Sequence, residues 1–143
     1  MSTEAAVPGC PVCEMRMNGP DGSVVYTDEL WTVTLGADVP GWFMVIANRH
    51  GDEWLWGLSD KEAAALGPLM RDIAVAAKAE AAPQRVYLMG FGEQWEHFHF
   101  LLMSRSAATP MEFRGPNLLS HAAELADRDE ALRVGWRVRS RLA

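Results

Sequence analysis

One stretch limits the possible folds more than any other: Trp95-Glu96-His97-Phe98-His99-Phe100-Leu101-Leu102-Met103-Ser104-Arg105. Polar and apolar residues alternate at its start and aromatics are frequent, so it predicts a strand. Alternation sends His97, His99, Leu101 and Met103 to one face and Glu96, Phe98, Phe100 and Leu102 to the other. The phenylalanine face asks for a core. The other face carries two imidazoles about 6–7 Å apart, at ~3.3 Å of rise per residue. Two imidazoles on an apolar strand are costly to desolvate unless each finds a partner. They are either a hydrogen-bonded structural pair or part of a functional site, and the rest of the chain weighs on that choice.

The chain has 143 residues, enough for one domain with its own core. Hydrophobic residues make up 49% and charged residues 22%, a soluble globular profile. No apolar run approaches the roughly 18 residues of a membrane span. The first residues, Met1-Ser2-Thr3-Glu4, lack the basic and apolar regions of a secretory signal, so a cytoplasmic location is expected. A net charge of −6 argues against a nucleic-acid surface, which calls for clustered Lys and Arg. A small-molecule ligand, even an anionic one, needs only a few local donors.

The two cysteines are Cys10 and Cys13. In a reducing compartment a structural disulfide is not expected, which leaves a redox pair or half a metal site. The turn-forming run Met17-Asn18-Gly19-Pro20-Asp21-Gly22 follows them, where a redox pair would open a helix. That favours metal if two more ligands exist.

Residues 1–9 read as a flexible arm, and Cys10–Cys13 as a knuckle. Asp21-Gly22 marks a hairpin-type turn. Strands are expected at Ser23–Thr27, Leu30–Leu35 and Trp42–Ala47; the last is a short continuous apolar run ending at Asn48-Arg49-His50. Ser59-Asp60-Lys61-Glu62 is a capping box. It opens a helix to about Ala81, which Gly67-Pro68 should kink or loosen. Arg85–Gly90 is a further strand, and Gly90-Phe91-Gly92-Glu93 a tight turn into the histidine strand. A short helix is expected over Asn117–Ala126 and a last one over Asp127–Leu142. This order predicts an α+β domain, an antiparallel sheet with helices on one side.

Cys10, Cys13, His50 and His97 together make a Cys2His2 set, the donor chemistry of a closed tetrahedral zinc site. His121 lies on a separate predicted helix and reads as structural or exposed.

The run His97-Phe98-His99-Phe100-Leu101-Leu102-Met103 resembles the histidine triad (HIT) motif, His-φ-His-φ-His-φ-φ with φ apolar, and Arg105 matches the arginine that often follows it. Cys10-Pro11-Val12-Cys13 resembles the opening of many zinc-containing bacterial members. Asn48-Arg49-His50 and Leu58-Ser59-Asp60-Lys61-Glu62 stand in matching order. The resemblance covers about residues 10–105. It implies a HIT-like fold: about five antiparallel strands, a long helix packed on them and a C-terminal helix. Residues 106–143 would form a C-terminal extension packing on the same domain. It further implies structural zinc on Cys10, Cys13, His50 and His97, a nucleotide ligand, and a homodimer.

The resemblance also assigns chemistry. His99, the middle histidine, would attack phosphorus and form a covalent nucleotidyl-imidazole. The implied activity is a nucleotidyl hydrolase or transferase acting on a nucleoside phosphoramidate or dinucleoside polyphosphate. Gln94, Trp95, Leu101 and Arg105 would contact substrate. The third triad histidine is replaced by Leu101, which removes a charge-assisted phosphate contact worth roughly 1.5–3 kcal/mol. A divergent fold member with altered chemistry, or one that binds an apolar ligand only, is the alternative. Trp31, Trp42, Trp54 and Trp56 would then line a more apolar pocket, or serve as core and interface.

Overall fold

The computed structural model describes residues 4–18, 22–51 and 53–142. Five strands form one antiparallel sheet in the order β1-β2-β3-β5-β4. They are β1 (Val24–Thr27), β2 (Trp31–Leu35), β3 (Trp42–Ala47), β4 (Arg85–Met89) and β5 (His99–Arg105). Helices α1 (Pro11–Asn18), α2 (Asp60–Ala81), α3 (Ala122–Leu125) and α4 (Arg128–Leu142) complete the described elements with 3-10 turns at Trp54–Gly57, Met111–Phe113 and Gly115–His121. This is the expected α+β architecture. Among the described residues no helix is long and apolar enough to cross a membrane.

β3 is buried along its whole length because β2 and β5 pair with it on either side. On one face Phe43, Val45, Phe98, Phe100 and Leu102 join Trp31 and Val33. α2 covers them with Leu69, Ile73, Ala76 and Ala77, and α4 with Val134 and Val138. The expectation of helices on one side needs correcting. The other face carries Trp42, Met44, Ile46, Leu101 and Met103. These are as apolar as the first set, so they too require a cover. Val12 and Met15 of α1 supply part of it, and Leu118, Leu119 and Ala122 the rest.

Local chemistry explains the boundaries. Asp28 bends the chain between β1 and β2: its Oδ1 accepts from the backbone N–H of Leu30 and of Trp31, both at 2.8 Å. Ser59 and Glu62 form the capping box on α2, Ser59 Oγ accepting from Glu62 N–H at 3.1 Å and Glu62 Oε1 from Ser59 N–H at 2.7 Å. α2 runs unbroken through Pro68. Ala64, Gly67 and Pro68 all lie on its exposed side, where water can serve the carbonyl that proline leaves without an N–H. Asp127 caps α4 through Glu130 N–H. The segment expected as a short helix over 117–126 is a 3-10 turn followed by one turn of α-helix.

Two expectations about the N-terminus change. Cys10–Cys13 is the start of a helix, with Pro11 at its first position and Cys13 N–H donating to Cys10 Sγ at 3.4 Å. The arm is also held in part: the Glu4 carbonyl accepts from Arg16 Nη2 at 2.7 Å. The turn expected at Gly19-Pro20-Asp21 lies outside the described residues. The histidine strand begins at His99, four residues later than expected, because its ladder with β3 starts at Ile46↔His99. His97 lies before that ladder, where its ring turns toward α1.

Candidate metal and nucleophile site

Three separated elements bring their histidines and thiols to one point. α1 is seated on the sheet by Val12 and Met15, against Met44 and Ile46. β3 ends at Ala47, and the buried side chain of the next residue, Asn48, is held at both ends: Oδ1 accepts from Thr32 Oγ1 at 2.6 Å and Nδ2 donates to the Asp28 carbonyl at 2.7 Å. That fixes the exit of the chain toward His50. His97, 1% exposed, is held from behind by an Nε2 contact of 2.5 Å to the Ala47 carbonyl. A carbonyl only accepts, so Nε2 carries the proton and Nδ1 presents its lone pair.

That lone pair faces sulfur. His97 Nδ1 lies 3.3 Å from Cys13 Sγ and 3.6 Å from Cys10 Sγ, and His50 Nδ1 lies 3.4 Å from Cys13 Sγ. The four ligand atoms all fall within 4.8 Å of one another. Tetrahedral zinc, at ~2.3 Å to sulfur and ~2.0–2.1 Å to nitrogen, would set sulfur and nitrogen about 3.5 Å apart. The spacing therefore fits zinc, and the carbonyl behind His97 is the outer-shell support that zinc histidines use. Burial lowers the proton affinity of His97, which favours the neutral ligating ring. Burial pushes the Cys13 thiol up, so without a cation it keeps its proton, and a bound cation would be what displaces it. Sequence reasoning named all four residues, and the fold brings all four together.

His99 points elsewhere. Its Nδ1 lies 2.7 Å from the carbonyl oxygen of His97. By the same argument Nδ1 is the donor, which puts the lone pair of the uncharged tautomer on Nε2. His99 is half-buried between two indoles, Trp54 at 5.5 Å and Trp95 at 5.7 Å between ring centroids. It lines a cavity of about 310 Å³ with Gln94, Trp95, Leu101 and Glu93. Met44, Met89, Phe91 and Leu119 make most of the remaining wall. A second cavity of about 320 Å³ shares Met44, Trp95 and Leu101 with the first, and reaches Thr34, Ser23 and the Asp38–Arg128 ion pair. Leu101 thus stands between the two. Its Cδ2 sits 2.9 Å from where a Cβ on Gly36 would be, so Leu101 packs closely on the β2–β3 turn.

Gln94, Trp95 and Leu101 are therefore gathered around His99. Arg105 is not. It stands six residues further along β5, about 20 Å at strand rise, where Nη1 donates to Gln84 Oε1. His121 stacks on Phe113 at 3.8 Å, away from both groups. Of the tryptophans, Trp31 and Trp42 are core. Trp56 is 82% exposed. Sequence reasoning noticed Trp54 but not its contact with His99, and missed Leu119 as a wall. The unpaired polar run after β3 was the available signal for Asn48.

No family model and no curated protein matches the chain. Solved structures do. A HIT-like protein involved in cell-cycle regulation from Bartonella henselae superposes with a TM-score of 0.70 at 17% identity, covering 96% of this chain and 98% of its own. A hypothetical histidine triad nucleotide-binding protein from Sulfolobus tokodaii gives 0.70 at 17% identity, covering 93% and 91%. A zinc-bound histidine triad family protein from Mycobacterium smegmatis gives 0.68 at 19% identity, covering 94% and 95%. With likeness spread over nearly the full length, the chain has the histidine triad (HIT) fold.

Proposed function

We propose that the protein is a nucleotidyl hydrolase or transferase that uses His99 as nucleophile on a nucleoside phosphoramidate or dinucleoside polyphosphate. The observation that carries this reading is the His99 contact to the His97 carbonyl, which commits Nδ1 as donor and leaves Nε2 with its lone pair. Nε2 attacks phosphorus, the bond to the leaving group breaks, and water or another acceptor then releases the nucleotide. Gln94 is the side-chain amide available beside the reacting phosphoryl, and Trp95 and Leu101 form apolar walls for the rest of the substrate. The paired cavities suit a substrate with a group on each side of the reacting phosphorus.

Cys10, Cys13, His50 and His97 would hold zinc in a structural role, because all four positions are filled by protein donors. Held by these residues, zinc would tie α1 to the residues that precede β5 and would steady the His97 carbonyl that His99 contacts. A reducing, cytoplasmic setting keeps both thiols free for it. A homodimer is the proposed assembly, supported by β4 being an edge strand among the described residues and by the exposed Leu88 on it and Val75 on α2.

One observation favours a second reading. Among the described residues, Glu93 is the charged residue in the lining of the His99 cavity, and Leu101 replaces a phosphate donor. An apolar ligand would suit such a wall. Phosphorus NMR separates the two. Incubation with adenosine 5′-phosphoramidate and with diadenosine tetraphosphate should give AMP with the wild type and none with folded His99→Ala. Intact substrates after prolonged incubation with zinc-loaded wild type would favour the apolar ligand.

A further inference from the structure

Trp54 breaks a local rule. Its φ of 56° places a bulky aromatic residue in the left-handed region, normally left to glycine or asparagine. Such a conformation persists only where the surroundings fix it, and it clusters at functional sites. Here the indole is the fixed point. It packs on Phe98 at 4.9 Å between centroids and stands edge-to-face with His99 at 5.5 Å and 85°. Gly92, itself at φ 68°, lies under the ring: an added Cβ there would come within 2.9 Å of Trp54 Cδ2. Two unusual backbone positions thus converge on one indole beside the nucleophile. Trp95 approaches the same imidazole at 5.7 Å with its plane tilted by 49°. Trp54 also lines a small cavity of about 150 Å³ with Arg49, His50 and Glu53.

We infer that Trp54 is a positioning residue for His99, completing with Trp95 an aromatic clamp that fixes the imidazole rotamer and disperses the positive charge the ring acquires when nucleotidylated. This rests on nucleotidyl transfer to His99. The Nε2 lone pair forms the N–P bond. The P–N bond to the leaving amine breaks with its electron pair on that amine, which takes a proton from water. The ring keeps Nδ1–H, donated to the His97 carbonyl, and is then an imidazolium. Water later attacks phosphorus, the N–P bond breaks, its pair returns to Nε2, and a proton leaves to solvent. Between those steps a delocalised cation lies within about 6 Å of two indoles, the range of cation–π attraction. The clamp acts on the charged state, so it favours adduct formation over simple substrate binding.

The test is a single-turnover time course of adduct formation with adenosine 5′-phosphoramidate at several concentrations, read by intact mass. It uses full-length zinc-loaded wild type, Trp54→Leu and Trp54→Phe, with helix content and zinc content checked in each. The clamp predicts that Trp54→Leu slows the saturating rate by about tenfold or more, half-saturation changing little, while Trp54→Phe keeps the rate within about threefold. A folded Trp54→Leu with a wild-type rate overturns the inference, and so does a Trp54→Phe as slow as leucine. If Trp54→Leu fails to fold, Trp54→Met replaces it as a side chain of similar length without a π face, under the same criteria. No adduct in the wild type overturns both the clamp and the proposed reaction; an adduct indifferent to Trp54 overturns the clamp alone.

Discussion

Arg49 and Glu62 make an unequal pair, and removing one should cost more than removing the other. Arg49 leaves β3 one residue before His50, and Glu62 is the third residue of α2, so the pair ties the start of the long helix to the exit of the central strand. Arg49 Nη2 donates to Glu62 Oε1 at 2.8 Å and Nε to Oε2 at 3.3 Å. The carboxylate side chain is 3% exposed and the guanidinium side chain 44%. Burial alone would raise the Glu62 carboxyl, but Arg49 and the Ser59 N–H hold it below the usual range. Arg49→Met strands a buried carboxylate. Breaking a fully buried pair costs about 3–5 kcal/mol. Here Ser59 N–H still binds one oxygen, and water can enter where the half-exposed arginine stood, so about 2–3 kcal/mol is expected. Glu62→Gln strands no charge, since Arg49 can turn to water and also donates to the Gly57 carbonyl. It should cost about 1 kcal/mol. The pH dependence follows. In the wild type the lowered carboxyl gives stability that is present above its ordinary value of 4.5 and lost as pH falls through the lower folded value. In Arg49→Met, burial without a counter-charge raises the carboxyl, so acid relieves that variant. The gap between them should be widest at pH 7 and shrink toward pH 4. Urea melts of the three proteins at both pH values measure this. Glu62→Gln costing more than Arg49→Met at pH 7, or a gap that widens in acid, would refute the reasoning.

Three further outcomes are expected. Purified protein should carry about one zinc per chain; Cys13→Ala should lose it along with several kcal/mol of stability, as structural zinc does, and well under one zinc in the wild type would sink the Cys2His2 assignment. Leu101→His restores a charge-assisted donor worth ~1.5–3 kcal/mol, so kcat/KM should rise by about 10- to 150-fold, and an unchanged value would show that this position no longer faces phosphate. The Tyr26 phenol is pushed up to about 12, by burial first and then by its hydrogen bond to Asp28. A raised value means stability intact below pH 10 and lost as pH climbs from 10 toward 12, a slope that Tyr26→Phe should flatten in denaturation curves.

Much of this was legible in the chain. Alternation in Phe98-His99-Phe100-Leu101-Leu102 gave the faces of β5, and the continuous apolar run Trp42–Ala47 gave the doubly flanked central strand. Ser59 and Glu62 announced α2. The four metal donors were readable because the two cysteines of Cys10–Cys13 need two further ligands, and His50 and His97 complete a Cys2His2 set. Long-range packing was harder to read. Nothing local says that 106–126 must fold over the second sheet face; that follows only once Trp42, Met44 and Met103 are seen to need cover. Pro68 lies inside a continuous helix on its exposed side, and spacing alone does not report that it faces solvent. The left-handed Trp54 and its seat on His99 depend on Gly92, some forty residues away. Arg105 was linked to substrate by its place after the motif, whereas six residues of strand carry it to the other end of the sheet.

The central claim is that His99 Nε2 becomes covalently nucleotidylated. The direct measurement is intact mass followed by peptide mapping after millisecond quenching of zinc-loaded protein with adenosine 5′-phosphoramidate. One adenylyl group should be added, localised to the peptide containing His99, forming and then decaying as AMP appears, and absent in His99→Ala. AMP formation with no adduct at any time, or an adduct that persists in His99→Ala, would contradict the claim.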